Sequence, residues 1–148
     1  MVISMYIIGL KINVILTFLL FICLTINIGE VGATVTKKTI MIDLDGVLNN
    51  YTAYTEEIPS IKGGADKFVK ELAKNYDLIL FTTRNSKKAL EWLQANKIDK
   101  YFKDVTNVKI PAFIYLDDRS IIFEGNYDKT LKDIEQFKVY WDKSSSDN

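Results

Sequence analysis

Histidine is absent from the sequence, and cysteine occurs once, at Cys23. Without histidine there is no Ser-His-Asp or Cys-His constellation and no His-ligated zinc site. A single cysteine excludes a disulfide within the chain. Its place in an apolar N-terminal stretch gives no support to a thiol nucleophile or a cysteine-based metal site. Net charge is also lacking: 19 basic residues balance 19 acidic ones. The basic residues are scattered, and no basic stripe interleaved with aromatics gives positive support to nucleic-acid binding. The side chains left for catalysis are carboxylates, lysine, serine and threonine, together with a metal ion. At 148 residues the chain has room for one domain.

Residues 1–33 stand apart. From Ile12 to Ile28 the chain carries no charge, Lys11 precedes this run, and Val31-Gly32-Ala33 follows it. The pattern fits a secretory signal cleaved after Ala33. A retained membrane anchor is the alternative, although spanning takes about 20 apolar residues and this run has polar residues inside it. A third reading is that translation starts further along. The protein is secreted or membrane-anchored if residues 1–33 are a true leader, and otherwise cytoplasmic. In each case the segment lies outside the catalytic fold, and any membrane contact comes through it alone.

From Lys38 onward, short apolar runs alternate with helical periodicity. Thr39–Ile42 reads as a buried strand ending in Asp43. Residues 46–62, with Gly46, Asn49, Asn50, Pro59 and Ser60, read as a loop or small flap. Gly63-Gly64 opens a helix with Ala65, Phe68, Val69, Leu72 and Ala73 at helical spacing. A second strand, Asp77–Phe81, ends in Thr82-Thr83-Arg84-Asn85, and Ser86 is taken as the N-cap of a helix carrying Ala89, Leu90, Trp92 and Leu93. Val105 and Val108 flank a short connection. Ala112–Leu116 is a third strand, ending in Asp117-Asp118, and Ile121–Phe123 is a further short one. A last helix is expected from Asp128 to Trp141, with Leu131, Ile134, Phe137 and Trp141 on one core-facing stripe. The catalytic domain is expected over 34–142, and the polar tail 143–148 is expected to be disordered.

This alternation implies right-handed βαβ units, hence an α/β fold: a three-layer α/β/α, Rossmann-like parallel sheet. In such sheets the ligand site lies beyond the carboxyl ends of the strands. Asp43, Thr82, Asp117 and Asp118 all fall there. Clustered carboxylates repel one another, and a cation relieves that repulsion. The hard oxygen ligands suit Mg²⁺. Such an ion neutralises a phosphate and orients it for attack, and a carboxylate can be the nucleophile. Thr82 can donate to a phosphoryl oxygen, and Lys109 can stabilise the developing charge.

On these residues the chain resembles the haloacid dehalogenase-like superfamily over residues 38 to about 125. Asp43-Leu44-Asp45-Gly46-Val47 is similar to the first motif, Asp-x-Asp-Gly-(Thr/Val). Leu78-Ile79-Leu80-Phe81-Thr82 resembles the second, an apolar strand ending in Thr or Ser, with Thr83 as the register alternative. Lys109, two residues before Pro111, resembles the third motif's lysine, with Lys103 as its rival. Phe113-Ile114-Tyr115-Leu116-Asp117-Asp118 resembles the fourth, an apolar strand ending in paired acids.

The resemblance implies a Mg²⁺-dependent phosphomonoester hydrolase. Asp43 would be nucleophile and metal ligand. Asp45 would be general acid and then base, with its carbonyl on Mg²⁺. Thr82 and Lys109 would hold the phosphoryl group, and Asp117 and Asp118 would bind Mg²⁺ directly or through water. An Asp at position 45 marks the phosphatase and phosphomutase form and argues against dehalogenation. Arg84 and Arg119 follow motif positions and are candidates to meet substrate. The intervals from Val47 to Gly63 and from Thr83 to Lys109 are too short for an inserted cap domain. Only the flap, with Tyr51, Tyr54, Glu56 and Glu57, can cover a substrate. The partner is therefore a phosphorylated small molecule or macromolecule, with nucleic acid disfavoured. The residues select neither a substrate nor an oligomeric state. A phosphate- or protein-binding module without turnover is the alternative. A phosphotransferase or mutase ranks last, because it usually needs a cap to exclude water.

Overall fold

The computed structural model describes residues 36–142. The expected leader 1–33 and the expected disordered tail 143–148 lie outside the described residues. In chain order the elements are β1 (Lys38–Asp43), α1 (Ala65–Leu72), β2 (Tyr76–Phe81), α2 (Ser86–Ala95), a 3-10 turn (Asp99–Tyr101), β3 (Phe102–Thr106), β4 (Ile114–Leu116) and α3 (Tyr127–Gln136).

The four strands form one parallel sheet in the order β3-β2-β1-β4. Ile40, Met41 and Ile42 on β1, and Leu78, Ile79 and Leu80 on β2, are buried one after another. Successive strand residues point to opposite faces, so burial of all of them means that both faces of the central pair are covered. One face is closed by α1 and α2. Ala65 and Val69, with Ala89 and Leu93, join Ile40, Ile42, Leu78 and Leu80 in a single apolar cluster. The described residues form an α/β fold with a Rossmann-like parallel sheet, and there is no cap domain among them.

Between β1 and α1 the chain makes a turn at 44–49 and then a small flap. An antiparallel bridge between Asn49 and Ile61 clips the flap at its base. Asn50 N donates to Ser60 O at 2.9 Å, and Lys62 N to Leu48 O at 2.9 Å. The Trp92 indole on α2 donates to Pro59 O at 2.8 Å and ties the returning limb of the flap to the helix near its base.

Four sequence expectations need correction. β3 is a strand where only a connection was expected. It is a sheet-edge strand with Lys103 and Asp104 exposed, so it lacks an apolar run. Residues 121–123 are not a strand. The N-cap of α2 is Asn85, whose side chain accepts from the backbone of Lys87 and Lys88, and Ser86 is the first helical residue. Helix α3 stops at Gln136 because Phe137 turns extended (φ −63°, ψ 130°), and none of its residues is buried. Leu131 and Ile134, expected to face the core, are 61% and 56% exposed. Trp141 is therefore not on a helix. Aromatic and β-branched residues in 137–141 weaken helical propensity, and Tyr140 and Trp141 are engaged at the sheet end.

Candidate active site

The site grows out of strand register. Ile42 pairs with Leu116 across β1 and β4. The next residue on each strand is an aspartate, so Asp43 and Asp117 emerge side by side. Asp118 follows immediately, and ligand oxygens of Asp43, Asp117 and Asp118 lie within 4.8 Å of one another. All three carboxylates are partly buried.

Burial is the main force raising the Asp43 pKa, to about 7; the Leu44 amide opposes it, and the negative charges of Asp117, Asp118 and Asp45 add to it. Asp117 Oδ1 accepts from the Arg119 amide at 2.7 Å. Asp118 Oδ2 accepts from the Trp141 indole N–H. Asp118 Oδ1 is buried with no hydrogen-bond partner. Three converging carboxylates, one with an orphaned buried oxygen, are a donor set that fits a hard divalent cation such as Mg²⁺.

Asp45 lies on the 44–49 turn. Buried Asn49 shapes it from inside: its Oδ1 accepts from Gly46 N at 3.1 Å, and its Nδ2 donates to Asp45 Oδ1 at 2.8 Å. The other oxygen, Asp45 Oδ2, accepts from Arg84 Nε at 2.6 Å. Gly46 has φ +83°, and a Cβ there would run into the Asp118 carboxylate and the Trp141 indole. Glycine is therefore required for both conformation and space.

A cavity of about 600 Å³ opens over this sheet end. Asp43, Asp45 and Asp117 line it on the acidic side. Tyr51, Tyr54 and Glu56 of the flap and Thr83, Arg84, Lys88 and Arg119 complete most of its wall. The segment 137–142 lies beside the 44–49 turn. Tyr140 O–H and Lys62 Nζ both donate to Gly46 O, and Trp141 packs edge-on to Tyr51 with centroids 5.3 Å apart.

The structure thus brings Asp43, Asp45, Asp117 and Asp118 to one place. Thr82 reaches the same strand end but is buried, and its Oγ1 accepts from Arg84 N at 3.2 Å, while Thr83 lines the cavity. Lys109 is not brought there. It is exposed on the β3–β4 connection, its ammonium lies 4.3 Å from the centre of the Tyr115 ring, and it does not line the cavity. Lys103, its rival, pairs with Asp77 at 3.7 Å. Sequence reasoning missed Asn49 and Trp141 as site residues. An Asn four places after Asp45 has no periodic signature, and Trp141 looked like part of a helix stripe.

No protein-family model matches the chain, and no curated protein matches it. A solved structure described as that of a conserved protein coded by a locus from Bacteroides thetaiotaomicron is similar, at 22% identity and a TM-score of 0.49. The similarity covers 74% of this chain and 99% of that one.

Proposed function

We propose that the domain is a Mg²⁺-dependent phosphomonoester hydrolase that works through an aspartyl-phosphate on Asp43. The observation that carries this reading is the convergence of the Asp43, Asp117 and Asp118 ligand oxygens within 4.8 Å at the carboxyl end of a parallel sheet.

Asp43, Asp117 and Asp118 would hold the ion. When bound, Mg²⁺ neutralises the carboxylate cluster and the phosphate charge. A carboxylate oxygen of Asp43 attacks phosphorus, and the bond from phosphorus to the ester oxygen breaks. Asp45 gives its proton to that leaving oxygen. Water then attacks the acyl phosphate, Asp45 takes its proton, and orthophosphate leaves with the Asp43 carboxylate restored. The absence of a cap leaves the flap, with Tyr51 and Tyr54, as the cover over the substrate.

The test is hydrolysis of p-nitrophenyl phosphate by the purified protein. Activity should require Mg²⁺, disappear with EDTA, and fall by about a thousandfold or more in Asp43→Asn. Activity that survives both EDTA and Asp43→Asn contradicts the proposal. Mg²⁺ and phosphate binding with no turnover across a broad phosphoester panel favours a binding module instead.

A further inference from the structure

Arg84 is the buried cation of the cavity. Its side chain is 7% exposed, whereas Arg119 is exposed and lies over the Tyr51 and Trp141 rings, and Lys88 is exposed and paired with Glu56. Three sides of the Arg84 guanidinium are accounted for. Nε donates to Asp45 Oδ2 at 2.6 Å, Nη1 donates to Thr55 O at 2.8 Å, and one face meets Tyr54 at 5.4 Å. Nη2 is buried and has no partner.

The guanidinium is a rigid planar fork, and Nε–H and one Nη2–H leave the same edge in parallel. That edge faces Asp45. Asp45 does not complete the fork: its second oxygen accepts from Asn49, and Nη2 finds no partner on it. A buried donor without an acceptor is costly unless a ligand supplies one. The missing acceptor thus belongs beside Asp45 Oδ2, and Asp43, Asp45 and Arg84 line the same cavity. A tie between Asp45 and the flap explains Nε and Nη1 but leaves Nη2 unexplained.

We infer that Arg84 is a further catalytic residue: its Nη2 binds a non-bridging oxygen of the phosphoryl group beside Asp45. It does the cationic work that the resemblance assigned to Lys109. The inference rests on the phosphohydrolase reading of the same site. No bond to Arg84 forms; it stabilises charge on the phosphoryl oxygens as phosphorus passes from the ester oxygen to Asp43.

The experiment compares the full chain with Arg84→Ala, Arg84→Lys and Lys109→Ala, each with Mg²⁺. It reads hydrolysis of p-nitrophenyl phosphate and the affinity for orthophosphate by calorimetry. Arg84→Ala should lower kcat by about 10²–10³-fold, and orthophosphate should bind about tenfold more weakly. Millimolar guanidinium should restore part of both, and Lys109→Ala should lose much less of either. Arg84→Lys keeps the charge but not the fork, so it should also bind orthophosphate more weakly; it decides the matter if circular dichroism shows Arg84→Ala unfolded. Lost activity with unchanged orthophosphate affinity and no rescue makes Arg84 a tie only and overturns the inference. A loss in Lys109→Ala equal to that in Arg84→Ala also overturns it. If the unmodified protein hydrolyses nothing, the phosphohydrolase reading fails. Arg84 is then judged on orthophosphate alone: weaker binding in its variants sustains the contact, and unchanged binding overturns it.

Discussion

Asp43 and Asp117 leave two neighbouring parallel strands at the same level, because Ile42 and Leu116 pair one residue earlier. Asp118 then brings a third carboxylate to the same place. This arrangement is electrostatically unfavourable without a cation, and its consequences can be measured.

The first consequence is a pH-dependent stability. Asp43 has a folded-state pKa of about 7 against an ordinary value of 3.8. The folded state therefore holds a proton that the unfolded state loses between these values. By linkage, stability falls as pH rises through that window, and the loss is complete above about pH 7. In EDTA the melting temperature should fall between pH 5 and pH 8, and Asp43→Asn should flatten the slope. Mg²⁺ should raise the melting temperature more at pH 8 than at pH 5, since ligand affinity adds directly to stability. An equal Mg²⁺ effect at both pH values contradicts this account.

Asn49 supports a second prediction. It accepts from the Gly46 amide and donates to Asp45, and it is fully buried. Asn49→Ala leaves the Gly46 amide without its acceptor and Asp45 Oδ1 without its donor, which should cost about 1–3 kcal/mol in urea unfolding. It should also lower kcat, because Asp45 loses one of its two positioning contacts. Unchanged stability and unchanged kcat would show that the 44–49 turn holds itself.

Trp141 supports a third. Its indole N–H holds Asp118 Oδ2, leaving Oδ1 unpartnered for a cation. Such outer partners orient ligands and typically contribute about 10–100-fold in metal affinity. Trp141→Phe keeps an aromatic ring against Tyr51 but removes the donor. Mg²⁺ affinity, read by calorimetry, should weaken by about tenfold. Tighter Mg²⁺ binding in the variant would mean that Trp141 competes with the ion.

The sequence disclosed those parts of the molecule whose signal is local. The strands that end in Asp43, Thr82 and Asp117 are apolar runs that stop at polar residues, and a parallel sheet gathers such ends by geometry. β3 escaped notice because an edge strand needs no apolar run: Lys103 and Asp104 stay in solvent. The apolar spacing of Leu131 and Ile134 is real, yet both residues are exposed, so periodicity alone did not set burial. The site residues supplied by loops were hardest to place. Lys109 has the right order along the chain but not the right position, and Thr82 and Thr83 differ only by which side of the strand end each faces. Arg84 stood out only as a motif neighbour, and its orphaned Nη2 exists only in three dimensions.

The central claim is covalent chemistry at Asp43, and trapping the intermediate tests it most directly. The protein is mixed with Mg²⁺ and a radiolabelled phosphomonoester, quenched in acid within milliseconds, digested, and the peptides are sequenced by mass spectrometry. The account predicts an acyl phosphate on the peptide containing Asp43, absent in Asp43→Asn and in EDTA. Steady turnover with no label at Asp43, or with label at another residue, contradicts it.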